Sequence, residues 1–248
     1  VKPFLEHLED LRWTAVKMGV TLMVAMIVSF CYVDKIAEIV EKPMNDISGG
    51  VKMQILNVTE PFMISLQMAF YSGIVLSFPA LLYFLASFVL PALTSKERRI
   101  LFPAIGAGFV LFGAGALISY KYILPMTLKW FWDYAVKMKM SPQWQARDYY
   151  SFVTHLTVAC GLLCELPVAV LGLAAFRIVT FKFLSGTRPY AIGAILMLVA
   201  LIAPTPDPMT FMVLAAPVVA IYEVCIWLVW FMDKRRNDEE AGEIRPLE

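Results

Sequence analysis

The chain has 248 residues, of which 60% are hydrophobic and 17% charged, with a formal net charge of +1 and a mean hydropathy of +0.70. A soluble domain carries about 25% charged residues, so this composition points to a membrane and excludes an ordinary water-soluble domain. The near-zero net charge gives no electrostatic grip on nucleic acid. No H-E-x-x-H, G-x-S-x-G or G-x-x-x-x-G-K pattern is present, which argues against metal-dependent, acyl-transfer and nucleotide chemistry.

The opening segment Phe4–Arg12 is amphipathic: Phe4, Leu5, Leu8 and Leu11 follow a helical period, and Glu6, Glu9, Asp10 and Arg12 line the other side. The first apolar run, Trp13–Tyr32, is too long for a secretory signal and lacks a cleavage site, so it reads as a membrane span. Five more follow at Phe62–Leu85, Ile100–Leu124, Tyr150–Phe176, Tyr190–Ala203 and Met209–Phe231. The first four reach the roughly 20 residues that a 30 Å hydrocarbon core requires. The fifth stops before Pro204 and the sixth meets Glu223 midway. Both are therefore expected to be short, about 21 Å of helix each, and to thin or tilt the bilayer locally. Pro204, Pro206 and Pro208, alternating with Thr205 and Asp207, forbid a helix between them and predict a tight extended turn.

The connections set the orientation. Lys96, Arg98 and Arg99 lie in one short loop and Arg177, Lys182 and Arg188 in another, whereas Pro204–Pro208 has no basic residue. This asymmetry predicts cytoplasmic N and C termini. Of the two long outer segments, Asp34–Pro61 holds an amphipathic stretch that ends at Pro43. The other, Lys129–Tyr149, mixes Trp130, Trp132 and Trp144 with lysines, as expected of chain lying in the interface. Residues 1–232 thus read as one six-helix transmembrane domain, and 233–248 as a charged, disordered cytoplasmic tail. The four cysteines fall in apolar runs and read as small packing residues.

Polar groups suited to binding concentrate in three places. The first is the acidic face of the opening helix. The second is Ser95-Lys96-Glu97-Arg98-Arg99, where Ser95 is a candidate cap and Glu97 falls in a first helical turn favourable to a carboxylate. Carboxylates on a basic cytoplasmic face suit a peptide bearing paired arginines, because guanidinium–carboxylate pairing is planar and charge-assisted. The third is Glu165, inside the apolar run Phe152–Phe176, with Thr205, Asp207 and Thr210 assigned to the same outer half of the bundle. A carboxylate near mid-depth costs about 2.5–3.5 kcal/mol on insertion scales and normally faces a partner, a cavity or water. It could position a partner's polar side chain. In an alternative reading, Glu165 is the relay of a proton-coupled secondary transporter, although no second midplane ionisable residue or broken-helix repeat accompanies it.

These residues resemble the TatC family, the multispanning core of the twin-arginine translocase. The likeness runs over about residues 4–232. It is carried by His7-Leu8-Glu9-Asp10-Leu11-Arg12, Phe88 with Pro91-Ala92-Leu93 and Lys96-Glu97-Arg98-Arg99, and Tyr149, Phe152, Gly161 and Glu165-x-Pro167. Arg188-Pro189-Tyr190, Pro204–Pro208 and Pro217 with Tyr222-Glu223 continue it.

The resemblance implies an all-α, glove-like concave bundle of six transmembrane helices in the cytoplasmic (inner) membrane of a prokaryote. It also implies a non-enzymatic receptor, without cofactor, for twin-arginine signal peptides, which assembles with TatA- and TatB-like single-span proteins, membrane lipids and further copies of itself. Folded cargo would cross on the proton-motive force. Asp10 and Glu97 would face the arginine pair, with Glu9, Arg12 and Phe88 shaping the site. Glu165, Thr205 and Asp207 would contact a partner helix, and Pro43 matches the proline of the first outer segment. The chain has Asp10 where the family usually has Glu, and Thr14, Ala203 and Phe211 where basic, Thr and Gln residues are frequent.

Overall fold

A computed structural model describes residues 4–48, 53–89, 95–175, 179–202 and 207–243. The described elements are α1 (Phe4–Cys31), α2 (Val33–Ser48), α3 (Glu60–Val89) and α4 (Ser95–Ile118), a π-helical turn (Ser119–Ile123), and α5 (Leu124–Lys137). After these come α6 (Ala146–Leu163), α7 (Leu166–Ala175), α8 (Phe181–Gly186), α9 (Arg188–Ile202) and α10 (Pro208–Glu243). Among the described residues, five stretches are long and apolar enough to cross a bilayer: Leu8–Cys31, Glu60–Phe88, Ile105–Lys137, Ala146–Ala174 and Pro208–Phe231. The protein is a multi-pass membrane protein. Trp13, Val16, Val20, Met23, Val24 and Ile27 stay exposed along α1, a row of apolar side chains that lipid covers.

Close helix approach organises the bundle. A methyl group on Gly73 of α3 would come within 3.0 Å of the Met26 backbone of α1, so the absence of a Cβ lets these two antiparallel helices touch backbone to backbone. Between the third and fourth spans, a Cβ at Gly115 would lie 2.5 Å from Cys164 Sγ and 2.9 Å from the Cys160 carbonyl. One at Gly161 would lie 2.8 Å from the Phe112 ring, which is itself buried and stacked on Phe78 at 3.7 Å between centroids. Cys160 and Cys164 thus fill interhelical space, as their positions in apolar runs suggest.

The structure corrects several expectations. The sixth span is not short: α10 is a single helix of 36 residues that runs through Glu223, where the apolar run was expected to be cut short. The physical reason is that Arg188 Nη2 pairs with Glu223 Oε2 at 3.2 Å, so the carboxylate is compensated without ending the helix. The fifth, α9, has 15 residues and does fall short of a 30 Å core. Helix α10 also continues through Asp233–Glu243, where composition predicts disorder, and Asp233 is anchored by the Phe181 N–H at 2.9 Å.

The segment Lys129–Tyr149 does not simply lie in the interface, because residues up to Lys137 extend the third span as α5. A π-helical turn joins the two parts, with the Leu124 N–H bonded to the Ser119 carbonyl. It comes just before Pro125, which cannot donate to an i−4 carbonyl. The fourth span is two helices, broken at Cys164 and Glu165.

Candidate functional site

The first group is set by the α1–α3 pair. From the contact between Gly73 and Met26, about 15 residues along each helix, roughly 22 Å, lead to Phe88 on α3 and to Leu11 on α1. Because the helices are antiparallel, Asp10, Arg12 and Phe88 share one axial level, at the end of the bundle where α1 begins and α3 ends. Asp10 and Phe88 are half-buried, while Glu9 and Arg12 are exposed. The Asp10 carbonyl accepts the Thr14 hydroxyl at 2.8 Å, so the position where a basic residue is common serves the helix backbone instead. Helix α4 begins at Ser95, a few residues past the end of α3, and Glu97 falls in its first turn; the Glu97 side chain lies outside the described residues. The chain path therefore brings both acidic segments to one end of the bundle.

The second group centres on Glu165 at the break between α6 and α7. Its Oε2 sits where a Cβ on Gly108 would be 2.8 Å away, with Leu82 Cδ1 at 3.3 Å from that same point, so the side chain occupies a notch that Gly108 leaves open. Its Oε1 is buried and has no hydrogen-bond partner among the described residues. Asp207 has a different local duty. It accepts the Thr210 N–H at 2.7 Å and caps α10, while Pro208 opens the first turn, where its missing N–H costs nothing. Thr205, Pro204 and Pro206 lie outside the described residues.

A third constellation, at the opposite end of the bundle where α3 begins, has no counterpart in the residues singled out from sequence. Glu60 is 2% exposed. Its Oε2 accepts the Leu56 and Asn57 N–H groups at 3.0 and 3.2 Å, and its Oε1 accepts the Arg147 N–H and Gln145 Nε2 at 3.0 and 3.1 Å. Beside it, Gln54 and Gln145 form a parallel bridge. In that bridge Gln54 donates to the Trp144 carbonyl at 3.0 Å and accepts the Ala146 N–H at 2.8 Å. One carboxylate thus clasps the two outer segments together. The only sequence signal for it is an acidic residue at the N-terminus of a long apolar helix, where helix-dipole compensation is an equally good explanation.

Pro43 belongs to the same outer assembly. It is buried inside α2 and has no N–H to give the Ile39 carbonyl. The Tyr120 hydroxyl, presented by the π-helical turn, donates to that carbonyl at 2.5 Å. The neighbouring Val40 carbonyl accepts from the Tyr149 hydroxyl at 2.7 Å, and Tyr150 donates to the Glu41 carboxylate. Three tyrosines therefore hold the amphipathic outer helix to the third and fourth spans.

Comparison with known proteins agrees with this architecture. The family model for the Sec-independent protein translocase protein (TatC) matches residues 6–217. The TatC protein of Akkermansia muciniphila is 40% identical over 201 residues, covering 81% of this chain but 58% of that relative's length. The TatC protein of Carboxydothermus hydrogenoformans is 32% identical over 238 residues, 96% of each chain. A crystal structure of the twin-arginine translocase receptor TatC superposes with a TM-score of 0.82 at 29% identity, over 91% of this chain and 98% of the other. The chain belongs to the TatC family of Sec-independent protein translocase proteins.

Proposed function

We propose that this chain is the signal-peptide receptor and scaffold of a twin-arginine translocase. A signal peptide carrying consecutive arginines docks at the cytoplasmic end of the α1–α3 pair. There Asp10 and Glu97 take the guanidinium groups, and Glu9, Arg12 and Phe88 shape the surface around them. The observation that carries this reading is the shared level of Asp10 and Phe88, with the helix bearing Glu97 starting a short loop away. In the same reading, Glu165, together with Thr205 and Asp207, receives a TatA- or TatB-like single-span helix. Its unpartnered Oε1 is a group that a partner's polar side chain would satisfy. The arrangement has six spans in a concave, glove-like bundle, both termini in the cytoplasm, and the bilayer thinned beside the short α9. Copies of the receptor associate in the inner membrane and export folded proteins on the proton-motive force.

Equilibrium binding of a twin-arginine peptide and its Lys-Lys variant tests the recognition step. A charged hydrogen bond is worth about 1.5–3 kcal/mol, so losing bidentate pairing should weaken binding about tenfold or more. Glu97→Ala should remove that difference. Equal binding of both peptides, with no effect of Glu97→Ala, rules the reading out.

A further inference from the structure

We infer that the cytoplasmic end of α10, with α8, is a binding surface for the headgroups of anionic phospholipids. The sequence of α10 after Pro217 places two stripes side by side. Tyr222, Ile226, Val229 and Asp233 recur at i, i+4, i+7 and i+11 and form the stripe turned to α8. Ile226 and Val229 are buried, the Tyr222 hydroxyl donates to the Leu184 carbonyl at 3.3 Å, and Asp233 accepts from the Phe181 N–H. One residue further round the helix, Glu223, Trp227, Trp230 and Lys234 repeat the same spacing and form a stripe that, apart from the Glu223–Arg188 ion pair, is largely open among the described residues. Trp227 is 68% exposed and Trp230 40%, and Phe231 beside them is 61% exposed. The two indoles meet edge to face at 6.5 Å, and Lys234 Nζ sits 5.3 Å over the Trp230 ring.

The charge order along this stripe identifies what covers it. Its upper end is the Arg188–Glu223 pair, and its lower end, roughly 16 Å further along the helix, is Lys234, which the sequence follows with Arg235 and Arg236. Exposed Lys182 and Phe183 on α8 stand alongside this stretch. Indole rings followed by cations match the depth profile of a membrane interface, apolar rings at the acyl boundary and ammonium groups at the phosphates. The acidic block Asp238-Glu239-Glu240 comes only after the cations, further from an anionic surface that would repel it. A soluble acidic partner would have to cover the exposed indoles as well as pair with the cations, whereas acyl chains under a negatively charged headgroup layer meet Trp227, Trp230 and Lys234 in the order in which the helix presents them. This surface lies apart from the proposed peptide and partner-helix sites, and the inference does not depend on them.

The test is competitive lipid retention by the full chain in detergent micelles, read by native mass spectrometry with equal phosphatidylglycerol and phosphatidylethanolamine. Each cation near an anionic surface contributes about fivefold. Wild type should therefore retain phosphatidylglycerol over phosphatidylethanolamine, and the variant Lys182→Gln/Lys234→Gln, which keeps Arg235 and Arg236, should lower that ratio by about tenfold or more. The control Lys137→Gln/Lys139→Gln, which removes two exposed cations beyond α10, should keep the preference. Parity in wild type, an undiminished preference in Lys182→Gln/Lys234→Gln, or equal loss in the control overturns the proposal. Far-ultraviolet circular dichroism of each variant confirms that it is folded.

Discussion

Replacing Glu60 with Gln isolates the clasp that joins the two outer segments. The carboxylate accepts four hydrogen bonds, three of them from backbone N–H groups. An amide offers one oxygen, so its NH₂ must face one pair of donors. The least damaging arrangement turns the NH₂ toward Gln145 and Arg147, where the Gln145 side chain can flip to accept. The Arg147 N–H is then left without an acceptor, at about 1–3 kcal/mol, and the remaining bonds lose their ionic component. A local cost of about 3 kcal/mol follows, which is roughly a 150-fold increase in opening of the clasp. Hydrogen exchange read by mass spectrometry should show this as faster exchange at Gln54, Ala146 and Arg147. Amides deep in α6, around Leu156, should keep their protection. An effect below about fivefold at Gln54 and Ala146 would refute the argument that Glu60 holds these segments together.

Three further outcomes follow from the helix contacts. Gly115→Ala should lower the thermal midpoint in detergent by the cost of overpacking, about 1–3 kcal/mol, because the new methyl meets Cys164 Sγ and a backbone carbonyl. Gly108→Ala should cost much less, since it meets only the movable ends of Glu165 and Leu82. It should nevertheless weaken copurification of a single-span partner if Glu165 positions that helix. Tyr120→Phe removes the exposed hydrogen bond to the Ile39 carbonyl and should destabilise the chain by about 0.5–1.5 kcal/mol. In a Pro43→Ala background, where the restored N–H can serve that carbonyl, the same change should cost less, and additive effects in a double-mutant cycle would contradict the assignment.

The helices that carry the acidic segments were legible in the sequence because their signals are local. Phe4, Leu5, Leu8 and Leu11 follow a helical period with Glu9, Asp10 and Arg12 on the other side, and Glu97 falls in the first turn of the helix that Ser95 opens. The length of the sixth span was not legible, since Glu223 interrupts the apolar run until Arg188, on a different helix, is seen paired with it. The Glu60 clasp escaped for the same reason: two of its donors come from Gln145 and Arg147, far along the chain. Pro43 was visible as a helix breaker, yet α2 continues through it because a tyrosine from the third span replaces the missing donor. The break at Cys164 and Glu165 was hidden within an unbroken apolar run, where hydropathy carries no information about a turn. Side chains that act through tertiary partners are thus the ones that composition and periodicity miss.

In the proposed recognition step, the end of the α1–α3 pair that holds Asp10 and Phe88, with the helix bearing Glu97 starting a short loop away, receives the arginine pair. Its most direct test places a photoreactive phenylalanine analogue at Phe88 and offers a twin-arginine signal peptide labelled beside its arginines. Efficient crosslinking to that label is the predicted result, with capture falling at least tenfold in the Asp10→Asn/Glu97→Gln variant or with a Lys-Lys peptide. Capture of equal strength in all three cases would contradict the account.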